Sequence, residues 1–227
     1  MSLLERLRGG LIVSVQAWEG SAIDDPRVLA AMAAAAEANG AAGVRMQGVE
    51  NLRAGRARVR VPIVGLIKRR YAGFEPYITP TVREVAEVVA TGAEIVAFDA
   101  TDRPRPEGTS VDALVVAIHE AGCLAMADCA TAADALCAQG AGADIVGTTL
   151  CGYTPSTQGT PLPALTLVRE LAELETFIIC EGGVHRPEQL SDAIAAGADA
   201  VVVGTAITNT DWLVREFASR TAKERHR

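Results

Sequence analysis

Residues 177–183, FIICEGG, and 200–205, AVVVGT, decide the fold. Each is a short continuous apolar run, the pattern of a strand buried on both faces of a parallel sheet, and each runs into glycine. Set side by side as the last two strands of a parallel barrel, their glycines meet at the carboxyl end, where backbone N–H groups can close around a phosphate. Glu181 stands at the same rim, so the stretch points to a fold and a ligand group together.

Upstream the same unit recurs. Apolar runs start near residues 11, 43, 62, 94, 123, 144, 177 and 200, about 27 residues apart, each followed by a helical pattern. Residues 26–39 form an alanine-rich helix closed by Gly40, and Thr81-x-x-Glu84 is a capping box opening a helix over 82–91. After Ser110, an N-cap candidate, Val111, Leu114, Val115 and Ile118 make an apolar stripe. Residues 49–60 are expected to be a poor, arginine-studded helix. The alternation predicts an α/β fold, a (β/α)8 TIM barrel with parallel strands, as a single domain over residues 1–227. An open doubly wound sheet is the rival, but the first strand–helix junction, QAWEG at 16–20, has no G-x-G-x-x-G.

Composition narrows the partners. A net charge of −7 argues against general binding to nucleic acid or an anionic membrane, so an anionic ligand must be held by a local site. Five cysteines, at 123, 129, 137, 151 and 180, include no C-x-x-C pair, and an odd number is a poor disulfide framework. No apolar run is long enough for a membrane span and residues 1–10 lack a signal peptide's apolar region, so a cytoplasmic protein is expected. Trp212, Leu213, Val214 and Phe217 near the end offer an apolar surface for a homodimer.

Catalytic groups of parallel barrels project from the carboxyl ends of strands, and here nearly every apolar run ends in a polar residue. Gln16, Arg45, Lys68, Asp99, Asp128, Thr148 with Tyr153, Glu181, Gly204 and Thr205 form this set. Each has an ordinary alternative: Lys68 beside Arg69 and Arg70 as a snorkelling surface lysine, Glu181 in a rim ion pair, Asp99 and Asp128 as caps or turn residues, Arg45 and Gln16 fixing loops. His119, His185 and His226 are scattered with no zinc-site spacing, and neither a G-x-S-x-G elbow nor a Cys–His pair is present. Acid/base chemistry without a metal or cofactor is what these residue types leave.

In these residues the chain resembles the N-acetylmannosamine-6-phosphate 2-epimerases over nearly its whole length. The pieces are GGLIVSVQA at 9–17, VPIVGLIKR at 61–69, FDAT at 98–101, MADCAT at 126–131, TTLCGYT at 148–154, CEGGVHRPEQ at 180–189 and VVVGTAIT at 201–208. The resemblance implies a barrel that inverts C2 of an amino-sugar phosphate, with Lys68 as acid/base and Glu181 as its partner carboxylate. It implies Gln16, Arg45, Asp128, Tyr153 and Thr154 around the sugar and its acetamide, and Gly182, Gly183, Gly204 and Thr205 around the phosphate. One departure stands out: after GTAIT a basic residue is expected, and this chain has Asn209, with Arg186 as a candidate replacement.

The C2 proton is acidic only when C1 is a carbonyl, so the ring must open before or with proton loss. Lys68 as base must have its pKa brought down from ~10.4 toward neutrality by burial, while Glu181 and the phosphate oppose this. Two schemes follow, one lysine serving both faces or Lys68 and Glu181 serving one each. Two competing readings remain: a Schiff-base lyase or aldolase using Lys68 on a sugar phosphate, and a non-catalytic barrel that only binds one.

Overall fold

The computed structural model describes residues 1–18 and 20–222. After a short helix α1 (Leu3–Leu7), eight parallel strands close into a barrel in chain order. They are β1 (Leu11–Val15), β2 (Gly43–Gln47), β3 (Ile63–Leu66), β4 (Ile95–Asp99), β5 (Leu124–Asp128), β6 (Ile145–Gly147), β7 (Phe177–Glu181) and β8 (Ala200–Val203). Leu11 opposite Val201 closes the ring. The outer helices are α2 (Pro26–Ala38), α3 (Val49–Arg56), α4 (Val82–Val89), α5 (Val111–Glu120), α6 (Ala132–Gly140), α7 (Leu165–Leu171) and α8 (Pro187–Ala195). After β8 come α9 (Thr205–Thr208) and α10 (Thr210–Ala222).

The strands are apolar throughout because both faces are covered. Alternation with a period of two sends Ile12, Val64, Leu66, Ile95 and Met126 into the barrel interior. Val13, Val44, Met46, Val96 and Phe98 face the helices instead. Where α4 crosses β3 the sheet has Gly65, at which a Cβ would stand 2.7 Å from Val88 Cγ1, so its lack of a side chain sets the helix–sheet distance.

Local signals in the sequence act as read. Thr81 and Glu84 form the reciprocal capping box of α4, and Ser110 caps α5, whose Val111, Leu114, Val115 and Ile118 are all buried. The helix expected over 49–60 stops at Arg56 for a visible reason. The Arg56 guanidinium pairs with Glu94 at 2.7 Å and donates to the carbonyl of Val59, so the following backbone wraps around its own side chain instead of continuing the helix. The strands also end earlier than the apolar runs suggest, leaving Gln16, Lys68 and Thr148 just beyond the ladder. Among the described residues no helix is long and apolar enough to cross a membrane. His226 lies outside the described residues.

Helix α1 is not announced by the sequence pattern, being only five residues long. It closes the amino end of the barrel: Leu7 is fully buried in the interior cluster, with Leu3 and Leu4 packed against it. Leu7→Ala is therefore expected to cost about 3 kcal/mol, the usual range for a buried leucine, read as a lower urea midpoint with an unchanged slope.

Candidate active site

At the carboxyl end the barrel opens into a cavity of about 300 Å³. The interior layer that is aliphatic lower down becomes polar here, as the same alternation points Ser14, Arg45, Asp128 and Glu181 inward above Ile12, Val64, Met126 and Ile179. Arg45 organises this layer. Only 1% exposed, it grips Asp128 with two bonds, of 3.0 and 2.6 Å, and reaches Glu181 at 3.0 Å. Burial opposes its charge, but the Asp128 and Glu181 carboxylates outweigh that and hold the guanidinium above its ordinary pKa.

Glu181 ends β7, and its backbone is fixed on both sides by the Thr148 hydroxyl, which accepts from its N–H at 3.0 Å and donates to its carbonyl at 2.9 Å. Its carboxyl has fewer partners than that of Asp128. The Thr149 hydroxyl has one proton, and it lies 2.7 Å from Asp128 against 3.3 Å from Glu181. Burial first, and then Asp128, push the Glu181 pKa up to about 7 against the pull of Arg45, Thr149 and Lys68.

Lys68 reaches the cavity from a hairpin beyond β3. It bridges Ile78 in antiparallel fashion, flanked by Arg69 N–H to Tyr77 carbonyl at 2.9 Å and Thr79 N–H to Ile67 carbonyl at 2.7 Å. The neighbouring arginines face elsewhere. Arg69 is bound to Glu84 and Glu87 on α4, and Arg70 lies over the Tyr77 ring at 4.7 Å. Lys68 itself is solvent-exposed, and it lines the cavity together with Glu181. The crowding protein, and then Arg45, lower its pKa, while Glu181 and Asp128 oppose this. The cavity thus holds an amine whose pKa is shifted down and a carboxyl whose pKa is shifted up.

The glycines line the same cavity. Gly182 and Gly183 have φ of +107° and +71°, and a Cβ at Gly183 would overlap Leu162 Cβ at 2.3 Å, so this turn admits only glycine. Gly204 and Thr205 at the start of α9 complete that side. Gln16 donates to Ser14 Oγ at 2.9 Å, leaving its Oε1 buried without a partner, as is Arg45 Nε.

Not every sequence candidate reaches the cavity. Asp128 is fully buried beneath the lining, occupied by Arg45 and Thr149. Thr154 braces its own loop through Thr157 at 2.7 Å and Ser156 at 3.2 Å, while its neighbour Tyr153 does line the cavity. Asp99 is a loop anchor, accepting from Thr101 at 2.6 Å and Arg103 at 2.7 Å. Arg186, at the start of α8, does not line the cavity, and Asn209 does. Asn209 Oδ1 accepts from Trp212 N–H at 2.9 Å, which gives this position a capping role for α10. His119 pairs with Asp144 at the start of β6, at the opposite end of the barrel. Sequence reasoning passed over Tyr77, His185 and Thr208 as lining residues. His185 had a signal, lying two residues past Gly183, whereas Tyr77 arrives only through the hairpin.

A closed barrel of eight parallel strands with a polar cavity at its carboxyl end places the chain among the (β/α)8 barrels. The comparisons narrow it. The family described as "Putative N-acetylmannosamine-6-phosphate epimerase" matches residues 29–223. A protein of Escherichia coli O157:H7 named "Putative N-acetylmannosamine-6-phosphate 2-epimerase" is 46% identical over 224 residues, 96% of each chain. One of the same name from Actinobacillus pleuropneumoniae serotype 5b is 42% identical over 97% of this chain and 96% of its own. The structure of the N-acetylmannosamine-6-phosphate 2-epimerase from Clostridium perfringens superposes with a TM-score of 0.93 at 40% identity, over 96% of each chain. The chain belongs to the N-acetylmannosamine-6-phosphate epimerase family.

The raised Glu181 pKa gives a signed stability test. Because the folded state holds this proton more tightly than the unfolded chain does, ionising Glu181 destabilises the fold as pH rises from the ordinary carboxyl range through about 7. Glu181→Gln removes that contribution. Its stability relative to wild type is therefore expected to improve between pH ~5 and ~8, measured by urea unfolding at both ends.

Proposed function

We propose that this protein interconverts N-acetylmannosamine 6-phosphate and N-acetylglucosamine 6-phosphate, with Lys68 and Glu181 moving the C2 proton. The observation that carries the reading is the opposed pKa shifts of these two groups in one cavity, lowered for Lys68 and raised to about 7 for Glu181. A neutral amine takes the C2 proton of the ring-opened aldehyde, leaving an enediolate. A protonated carboxyl returns a proton to the other face, and the reverse reaction exchanges the roles. Lys68 is the obligatory member of the pair.

Gln16 and Arg45 both line the cavity, and a 2-acetamido group offers an N–H and a C=O to side chains of these types. Tyr153 supplies a wall beside Gly182, and Asp128 acts on the sugar only through Arg45. The phosphate lies against Gly182, Gly183, Gly204 and Thr205, where absent side chains leave backbone N–H groups approachable. We assign the protein to the cytoplasm, in keeping with its five free cysteines, and to a homodimer formed through α10, where Phe217 is 76% exposed and Val214 60%.

Incubation with N-acetylmannosamine 6-phosphate in D2O, followed by NMR, tests substrate and chemistry together. Epimerisation with deuterium entering C2 of the product alone is expected for two groups serving opposite faces; partial retention of the substrate proton would point to one lysine serving both. Lys68→Met is expected to lower kcat by about 10³-fold or more, and intact turnover in this variant would overturn its assignment. Borohydride with substrate is expected to trap no adduct at Lys68, whereas a Schiff base would yield one.

A further inference from the structure

We infer that His185, held by Trp212, is a phosphate-binding residue of this chain and supplies the charge-bearing side chain at the glycine end of the cavity. This rests on the epimerase reading for the identity of the substrate but on separate observations for the contact. Among the described residues lining the cavity, the arginine and lysine side chains are those of Arg45 and Lys68. Arg45 is already shared between Asp128 and Glu181, and Lys68 belongs with Glu181 in the proposed proton transfer. Gly182, Gly183, Gly204, Thr205 and Asn209 are neutral. Asn209 commits its side-chain oxygen to the α10 cap, and Arg186 does not line the cavity. A dianion lodged among these groups meets backbone dipoles and one side chain that can become a cation, His185.

That ring is held in place. It stacks on Trp212 with centroids 5.1 Å apart and planes 17° from parallel, and the His185 backbone N–H donates to Gln189 at 2.9 Å. Trp212 is itself anchored in the first turn of α10. Asn209 accepts from Trp212 N–H and, through its carbonyl, from Leu213 N–H at 3.0 Å, while the Ser21 hydroxyl bonds Asp211 at 2.5 Å. Stacked on an indole, the imidazole keeps its edge nitrogens free to donate. Asn209 thus has an indirect part, capping the helix that carries the tryptophan. Trp212 is a positioning residue.

Binding of inorganic phosphate, measured by calorimetry, and steady-state kinetics on N-acetylmannosamine 6-phosphate test this in wild type, His185→Ala, His185→Gln, Trp212→Ala and Trp212→Phe. His185→Ala is expected to weaken phosphate binding about tenfold and to raise KM for the sugar phosphate by a similar factor, as loss of one charge-assisted hydrogen bond remote from C2 should. His185→Gln, which keeps a donor but no charge, falls between. Trp212→Ala follows His185→Ala, and Trp212→Phe restores much of the affinity through its ring. Wild-type phosphate affinity in His185→Ala would overturn the proposal, and wild-type KM in Trp212→Ala would overturn the positioning role. Should wild type bind phosphate in a His185-dependent way without epimerising the sugar, the substrate reading falls and the His185 contact stands.

Discussion

The structure above the aliphatic core depends on one buried cation and its unequal division between two carboxylates. An arginine taken out of water inside a barrel is tolerable only if its charge is answered locally, and Asp128 answers it with two bonds. Glu181 receives a single contact from the same guanidinium and is second in line for the Thr149 hydroxyl. The inequality matters. Arg45 pulls the Glu181 pKa down, while burial and Asp128 push it up. Asp128, outside the cavity lining, thus acts on Glu181 within it, both by its own charge and through the guanidinium they share.

Barrel closure is what brings these groups together. Arg45 and Asp128 are 83 positions apart in the chain, on β2 and β5, yet parallel strands in order place all their carboxyl ends on one face. Lys68 needs an additional device, because β3 stops at Leu66. The antiparallel bridge to Ile78 extends β3 as a hairpin, and the Arg69 ion pairs with Glu84 and Glu87 tie that hairpin to α4. A lysine on a free loop would sample many positions; this one has backbone hydrogen bonds at both neighbours.

The barrel was legible because its signal is repeated and local: an apolar run, a turn, an amphipathic helix, each burying one predictable face. Lys68, Glu181 and the glycine turns were legible for a related reason, since in this architecture the end of a strand is also the edge of the cavity. What stayed hidden were choices among partners. Asp128 and Thr154 have the residue types of ligand contacts, but the sequence does not tell that one is saturated by Arg45 and the other by Thr157. Asp99 is the same case, a polar strand end absorbed by its own loop. Helix α1 and the hairpin bringing Tyr77 inward escape because neither has a period long enough to read.

The charge balance of the cavity ties its two ends together. Arg45, Lys68, Asp128 and Glu181 sum to zero whether the proton sits on the amine or the carboxyl, so transfer between Lys68 and Glu181 does not change the net charge buried in the barrel. A phosphate dianion disturbs that symmetry. Its field favours the ammonium form of Lys68, and an uncompensated phosphate would work against a neutral amine at C2. Compensation is effective only where it is close to the phosphate and away from Lys68. Glycine backbone dipoles meet that condition because they carry no net charge toward the amine. A second lysine or arginine beside Lys68 would instead lower its pKa directly while competing for Glu181. On this argument the neutral lining around the glycines protects the proton balance on which the proposed chemistry runs.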